Sequence, residues 1–290
     1  MHSGEIIANG LRFSYLEMGE GPLLLLLHGF PDNACTWEQQ MPVLAQAGYR
    51  VVAPFLRGYP PTEVPEHGYF DLATLATDIK CLVDGLNDGK PCLLVGQDWG
   101  AAIAYAVLAA YPGSIQRAAI LAVPHPVEVR RTLKTSPKHI LRSFHWFLFQ
   151  LPWLPERLCR ANDYAFMEFL WRLWSPAYRD RAHVAQVKQM LAQPGAMVAA
   201  LAYYRAMLNP RKANPALAHV TARLSDPITV PTRVLCGSCD MRKEMLPRQR
   251  DLFAGPYEWG VVEGAGHFLH REKPGPVNAD LIEWLGRQDG

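Results

Sequence analysis

No uninterrupted apolar stretch of this 290-residue chain reaches the ~18 residues that suggest a membrane-crossing helix. The longest, residues 23–27 and 101–111, read instead as core elements. Neither charge sign dominates. Lys and Arg number 29 and Asp and Glu 27, a formal net charge of +2 with no basic stripe and no acidic tail. A nucleic-acid partner is therefore not expected. Cysteine is sparse and scattered, at positions 35, 81, 92, 159, 236 and 239. Cys236 and Cys239 form one CxxC, but no second pair or clustered histidines complete a zinc set, so neither metal nor cofactor is expected. Reduced thiols in a cytoplasmic protein are the default. The first residues lack a basic stretch followed by an apolar one, so no secretory leader is expected. Repeats and low-complexity segments are absent too.

What remains is a pattern of short apolar runs and helix-like stretches. Residues 11–16, 22–27, 49–53, 92–95 and 118–122 read as strands, and 37–47, 72–86 and 99–111 as helices. Strands rich in Leu and Val without alternation, separated by helices, predict a mostly parallel sheet covered on both faces. From about 127 to 228 the strand signal disappears, and aromatic, Met and Arg residues recur at helical spacing between prolines. Strands return at 232–236 and 257–262, with a last helix near 277–284. The expected organisation is an α/β core in two parts, residues 1–126 and 229–290, with a helical cap at 127–228. The cap would lie over the carboxyl ends of the strands, where open α/β sheets bind ligands.

The chemistry concentrates in Gly96-Gln97-Asp98-Trp99-Gly100, which follows a strand and opens a small-residue helix. This is the strand–turn–helix pattern of a nucleophile elbow, with Asp98 where serine is more familiar. Asp98 as a simple helix N-cap is the alternative. A strand also runs into His28-Gly29-Phe30-Pro31. The backbone N–H groups of Phe30 and Trp99 are the oxyanion-hole candidates. Further on, one strand leads to Asp240 and the last leads through Gly264-Ala265-Gly266 to His267. The chain order of nucleophile, acid and histidine is that of the α/β-hydrolase fold, whereas a lone histidine or turn aspartate would signify little. The segment after the sixth strand, Ala122 to His125, offers no carboxylate and leaves Asp240 as the acid.

Together, His28-Gly-Phe-Pro31, Gly96-Gln-Asp-Trp-Gly100 and Gly264-Ala-Gly-His267 resemble the motifs of α/β-hydrolase-fold epoxide hydrolases. The likeness extends into the cap through Phe144 to Gln150, Gln193-Pro-Gly and Tyr203-Tyr-Arg205. It implies that epoxides are opened to vicinal diols through an ester on Asp98. A water activated by His267, oriented by Asp240, then hydrolyses that ester. Carboxylate suits this role: attack on saturated carbon by serine would leave an ether, whereas Asp98 leaves a hydrolysable ester. The family's two ring-opening donors, usually tyrosines, fall on Tyr204 and, unusually, His145, with Tyr203 as the neighbouring alternative. A neutral imidazole N–H can donate the same hydrogen bond. Trp99, Trp146 and Phe149 are expected against the substrate, with Phe147, Trp171 and Trp174 completing an aromatic lining.

The implied partners are a small apolar epoxide and water, with a homodimer through the cap as a candidate assembly. The same Asp nucleophile serves haloalkane and haloacid dehalogenases, the alternative reading. However, Phe30 stands where haloalkane dehalogenases commonly carry a halide-binding Asn. The arginine clamp of fluoroacetate dehalogenases is also missing, its positions being Trp99 and Ala102. A non-catalytic receptor on the same fold would not need to keep Asp98, Asp240 and His267 together.

Overall fold

A computed structural model describes residues 1–287. Eight strands build one sheet: β1 (His2–Ala8), β2 (Leu11–Met18), β3 (Leu23–Leu27), β4 (Arg50–Pro54), β5 (Cys92–Gln97), β6 (Ile115–Leu121), β7 (Thr232–Gly237) and β8 (Tyr257–Val262). Their order is β1-β2-β4-β3-β5-β6-β7-β8. The pairs β1–β2 and β2–β4 are antiparallel, and every later pair is parallel. The five leucines of β3 are all buried because helices cover both faces of the sheet, which removes any need for alternation. The edge strand β1 lies outside the expected set. Its backbone ladder to β2 holds it in place while Ile7 stays exposed, so it carries little apolar pattern.

In the first half of the chain the helices are α1 (Met41–Gln46), α2 (Leu72–Leu86) and α3 (Trp99–Ala110). Asp71 caps α2 by accepting from the N–H groups of Ala73 and Thr74. The helix expected at 37–47 is shorter: residues 34–37 form a 3-10 turn, and Pro42, fixed in φ and without an N–H, sits at the start of α1. Between β6 and β7 lie α4 (Pro126–Thr135), α5 (Pro137–Arg142), α6 (Phe144–Leu148), α7 (Leu154–Trp174), α8 (Arg181–Ala192), α9 (Ala196–Leu208) and α10 (Ala218–Arg223). Several prolines of this stretch open helices, at α4, α5 and α7, rather than ending them. Helix α7 is broken at residues 161–164, where Asn162, Asp163 and Tyr164 all have positive φ. The chain closes with α11 (Leu269–Glu272) and α12 (Pro274–Leu285).

Alternate residues of the strands point to two apolar layers. Leu24, Leu26 and Val51 pack with Met41, Leu44 and Trp284 from α1 and α12. Leu25, Leu27 and Leu94 pack with α2 and α3, and this layer runs unbroken into Phe149, Leu170, Trp171 and Leu201 of the inserted helices. The chain reverses direction between β3 and β5: β4 lies to one side of β3 and β5 to the other. Such a switch point opens a crevice at the carboxyl ends of the strands.

Candidate active site

Asp98 stands at this crevice, at the end of β5. Its backbone, at φ 52° and ψ −115°, is strained for a non-glycine residue. The flanking glycines make the turn feasible. A Cβ on Gly96 would lie 2.3 Å from the Gly100 carbonyl oxygen, and one on Gly100 would lie 2.1 Å from that of Leu27. Side chains at either position would push α3 off the sheet. The Asp98 carboxylate makes no capping bond to α3, so the helix-cap alternative does not describe it. Its Oδ1 accepts from the Phe30 N–H at 2.8 Å, and Oδ2 lies 3.2 Å from His267 Nε2. The Phe30 loop is itself anchored by His28, whose Nε2 accepts from the Leu56 N–H. Burial holds His28 down to about 4, so its ring stays neutral. Trp99 begins α3, so its N–H has no acceptor within the helix.

His267 Nδ1 lies 3.2 Å from Asp240 Oδ2, completing the Asp98–His267–Asp240 chain. Asp240 also accepts from the Arg242 N–H, at 2.8 Å, so it shapes its own turn while orienting the imidazole. Burial is the largest influence on all three groups and opposes their charge. For His267, hydrogen bonds to Asp240 and Asp98 and their negative charge outweigh it and lift the imidazole to about 8. Both carboxyl groups are held below their ordinary value, because the bond and charge of His267, with Arg242, overcome burial. Asp98 is thus held as an anion.

Opposite this trio is a cavity of about 490 Å³, within the usual range for small-molecule sites. His145 from α6 and Tyr204 from α9 both line it, as do Trp99, Trp146, Phe147 and Trp174. The rings of His145 and Tyr204 are 5.7 Å apart, centroid to centroid. Burial, aided by the charge of Arg242, lowers His145 to about 3, so it is neutral at ordinary pH. Its Nδ1 is buried without a partner. The tautomer that strands no buried N–H carries its proton on Nε2. Burial and the charge of Asp98 push Tyr204 well above the usual phenol value, so it keeps its proton. The Tyr203 hydroxyl instead donates to the Arg57 carbonyl at 2.8 Å, and Tyr203 does not line the cavity.

Two expected lining residues are elsewhere. Phe149 is absent from the cavity wall and packs behind it, 5.0 Å from Tyr204, 5.8 Å from His145 and 5.7 Å from Phe30 between ring centroids. It occupies the next turn of chain after His145, where the apolar layer of the core is nearer than the cavity. Trp171 stacks on Phe268 at 3.8 Å and donates its indole N–H to the Pro31 carbonyl.

Several residues were not expected to matter. Gln150 Nε2 donates to the carbonyls of Trp146 and Tyr204, tying α6 to α9. Arg205 reinforces the joint through the Phe149 and Leu151 carbonyls and Glu156. Gln150 ends the Phe144–Gln150 motif and Arg205 directly follows Tyr204, so membership of the cap motifs was the available signal. Arg242, two residues after Asp240, lines the cavity as well. No group of three metal-ligating side chains gathers among the described residues. Cys236 is buried, Cys239 is exposed, and both thiols are free.

The α/β hydrolase fold family matches residues 22–274. Epoxide hydrolase 4 of Homo sapiens is 32% identical over 288 residues, covering 96% of this chain and 76% of that protein. The AB hydrolase superfamily protein YfhM of Bacillus subtilis is 32% identical over 97% of this chain and 96% of its own length. The crystal structure of Epoxide Hydrolase A from Mycobacterium thermoresistibile is 27% identical and superposes with a TM-score of 0.80 over 99% of both chains. The elbow geometry, the match over residues 22–274 and these likenesses over nearly the whole of this chain agree: the chain belongs to the α/β-hydrolase fold family, among members named epoxide hydrolases.

Proposed function

We propose that the protein hydrolyses epoxides to vicinal diols, with Asp98 as nucleophile, His267 as base and residues 127–228 as the cap over the site. One observation carries this reading. An ionised carboxylate on a strained elbow, bonded to Phe30 N–H and His267, faces two neutral donors across a largely apolar cavity.

In the first step Asp98 Oδ2 attacks a ring carbon and the C–O bond opens. The ring oxygen takes its proton from Tyr204, acting as general acid, while the neutral His145 N–H donates a hydrogen bond to it. Oδ1 becomes the ester carbonyl and remains on the Phe30 N–H. Alkylation also cancels the Asp98 charge, one of the causes that raise His267. The imidazole pKa then falls below about 8, its Nε2 proton passes to the Tyr204 phenolate left by ring opening, and Nε2 becomes free to accept a proton from water. Hydroxide delivered in this way adds to the ester carbonyl. The oxyanion that forms is held by the N–H groups of Phe30 and Trp99. Collapse passes the proton of the new acid to the leaving alkoxide, releasing the diol and restoring the carboxylate, and His267 is again protonated beside it. The balance is epoxide plus water to diol.

The test is diol formation from terminal, aryl and internal epoxides by the wild type and by Asp98→Ala. Turnover by the wild type and a loss of roughly 10⁴-fold or more in the variant are expected. His267→Gln should accumulate the ester, seen by intact-mass spectrometry as an adduct of the whole epoxide. Folded wild type that forms no diol, but releases halide from haloalkanes, would overturn the epoxide reading in favour of dehalogenation.

A further inference from the structure

We propose that the preferred epoxides carry a carboxylate, bound by Arg242 with Arg142 and Arg130 at one end of the cavity. This rests on the epoxide reading and deepens it to a substrate class. The two ends of the cavity differ in character. Toward α2 and α10 the wall is Leu72, Ala213, Thr221 and Leu224, with Asp71 already committed to capping α2. Toward α4, α5 and the turn after Asp240, Arg130, Arg142, Arg242 and His139 come together among Val129, Leu133 and Met245. Arg130 and Arg142 are exposed, and Arg242 is half-buried.

These three guanidinium groups have no ion-pair partner among the described residues. Their situation contrasts with that of the neighbouring Arg131, which pairs with Glu128 and Asp251. The charge of Arg242 reaches Asp98 and Asp240, and both are engaged with His267. The Arg242 side chain lies over the Trp146 ring, 5.9 Å from its centroid, which holds the fork beside the cavity. A wholly apolar substrate would cover this cation and leave it unpaired, which is costly. A carboxylate satisfies it, because guanidinium presents parallel N–H donors that match two carboxylate oxygens. The apolar remainder of such a molecule would fill the cavity towards α10, with the epoxide between, at Asp98.

The experiment compares kcat/KM for an epoxide bearing a free carboxylate and for its methyl ester. The wild type should favour the acid by tenfold or more. In Arg242→Gln that ratio should fall at least tenfold, in Arg242→Lys by less, and in the exposed Arg142→Gln severalfold. Binding of octanoate by calorimetry provides a readout independent of turnover and should weaken in Arg242→Gln. Equal use of acid and ester by the wild type, or an unchanged ratio in the folded Arg242→Gln, would overturn the proposal. Octanoate binding that depends on Arg242, in a wild type that turns over no epoxide, would uphold the anion site and refute the epoxide reading instead.

Discussion

The two walls of the cavity each hold a buried histidine, and the pair behave in opposite ways. On the sheet side His267, 4% exposed, is lifted to about 8, while on the inserted-helix side His145, 2% exposed, is pulled down to about 3. Burial is nearly equal and pushes both downward, so it does not decide the outcome. Neighbours do. His267 has a carboxylate on each nitrogen, whereas His145 sits among the rings of Trp174, Tyr204 and Phe149 with a cation nearby. The sheet side is therefore a set of mutually bonded ions, placed by strand ends and ready before substrate arrives. The cap side supplies neutral donors whose bonds remain to be made. That division suits a reaction that starts with an anion and ends its first step by protonating an alkoxide.

Removing a carboxylate from the sheet side should break the contrast most severely. Asp240→Asn deletes the first cause that raises His267 and its orienting acceptor, and a fall of about 10²–10⁴-fold in kcat is expected. The imidazole should become more like His145, its titration moving well below 8 in NMR. A matching stability effect follows from the sign of the shift. A folded-state pKa raised from 6.5 to about 8 stabilises the protein below 6.5, and that contribution is lost as pH rises through 8. The wild type should thus lose up to about 2 kcal/mol from this group across that window, and Asp240→Asn much less. Melting curves between pH 6 and 9 decide it. An undisplaced His267 titration in the variant would show that Asp240 is not what holds the charge.

Next come the neutral donors. Tyr204→Phe and His145→Phe should each slow ring opening by roughly 10- to 100-fold, and the double variant should come close to abolishing it. Because burial keeps His145 neutral down to about 3, single-turnover alkylation should show no limb from it between pH 5 and 8. A limb near pH 6 that disappears in His145→Phe would mean that the imidazole works as a cation, and the contrast between the walls would fail.

The same contrast explains what was legible in the sequence. Sheet-side groups sit in short local motifs: Asp98 between two glycines that only close packing requires, and His267 after Gly264-Ala265-Gly266. Helix α2 and strand β8 were readable for a similar reason, since a cap, periodicity or a β-rich run marks them within a few residues. The cap side depends on how distant segments dock. His183 meets Asp32 at 2.7 Å across 151 positions, and the side chain of Arg271, four residues after His267, joins Glu38 and Asp180. No spacing rule announces such pairs. The broken turn in α7 and the edge strand β1 escaped for lack of any apolar pattern to mark them. Phe149 was misplaced because an aromatic at helical spacing signals burial without saying against what.

Phe149 therefore provides the finest test of the comparison. Expected against the substrate, it instead fills the space behind His145, Tyr204 and Phe30, where both walls meet. Phe149→Leu should cost about 1–2 kcal/mol of stability by leaving a small void in a close-packed site. The effect on catalysis should be a few-fold drop in kcat as the donor rings lose their backing, with little change in KM. A wall residue would act in the reverse sense, enlarging the cavity and shifting KM towards bulkier epoxides. Measuring kcat and KM for one small and one bulky epoxide distinguishes the two. A size-dependent shift in KM with unchanged kcat would return Phe149 to the substrate surface. It would also mean that the donors hold their places without its support.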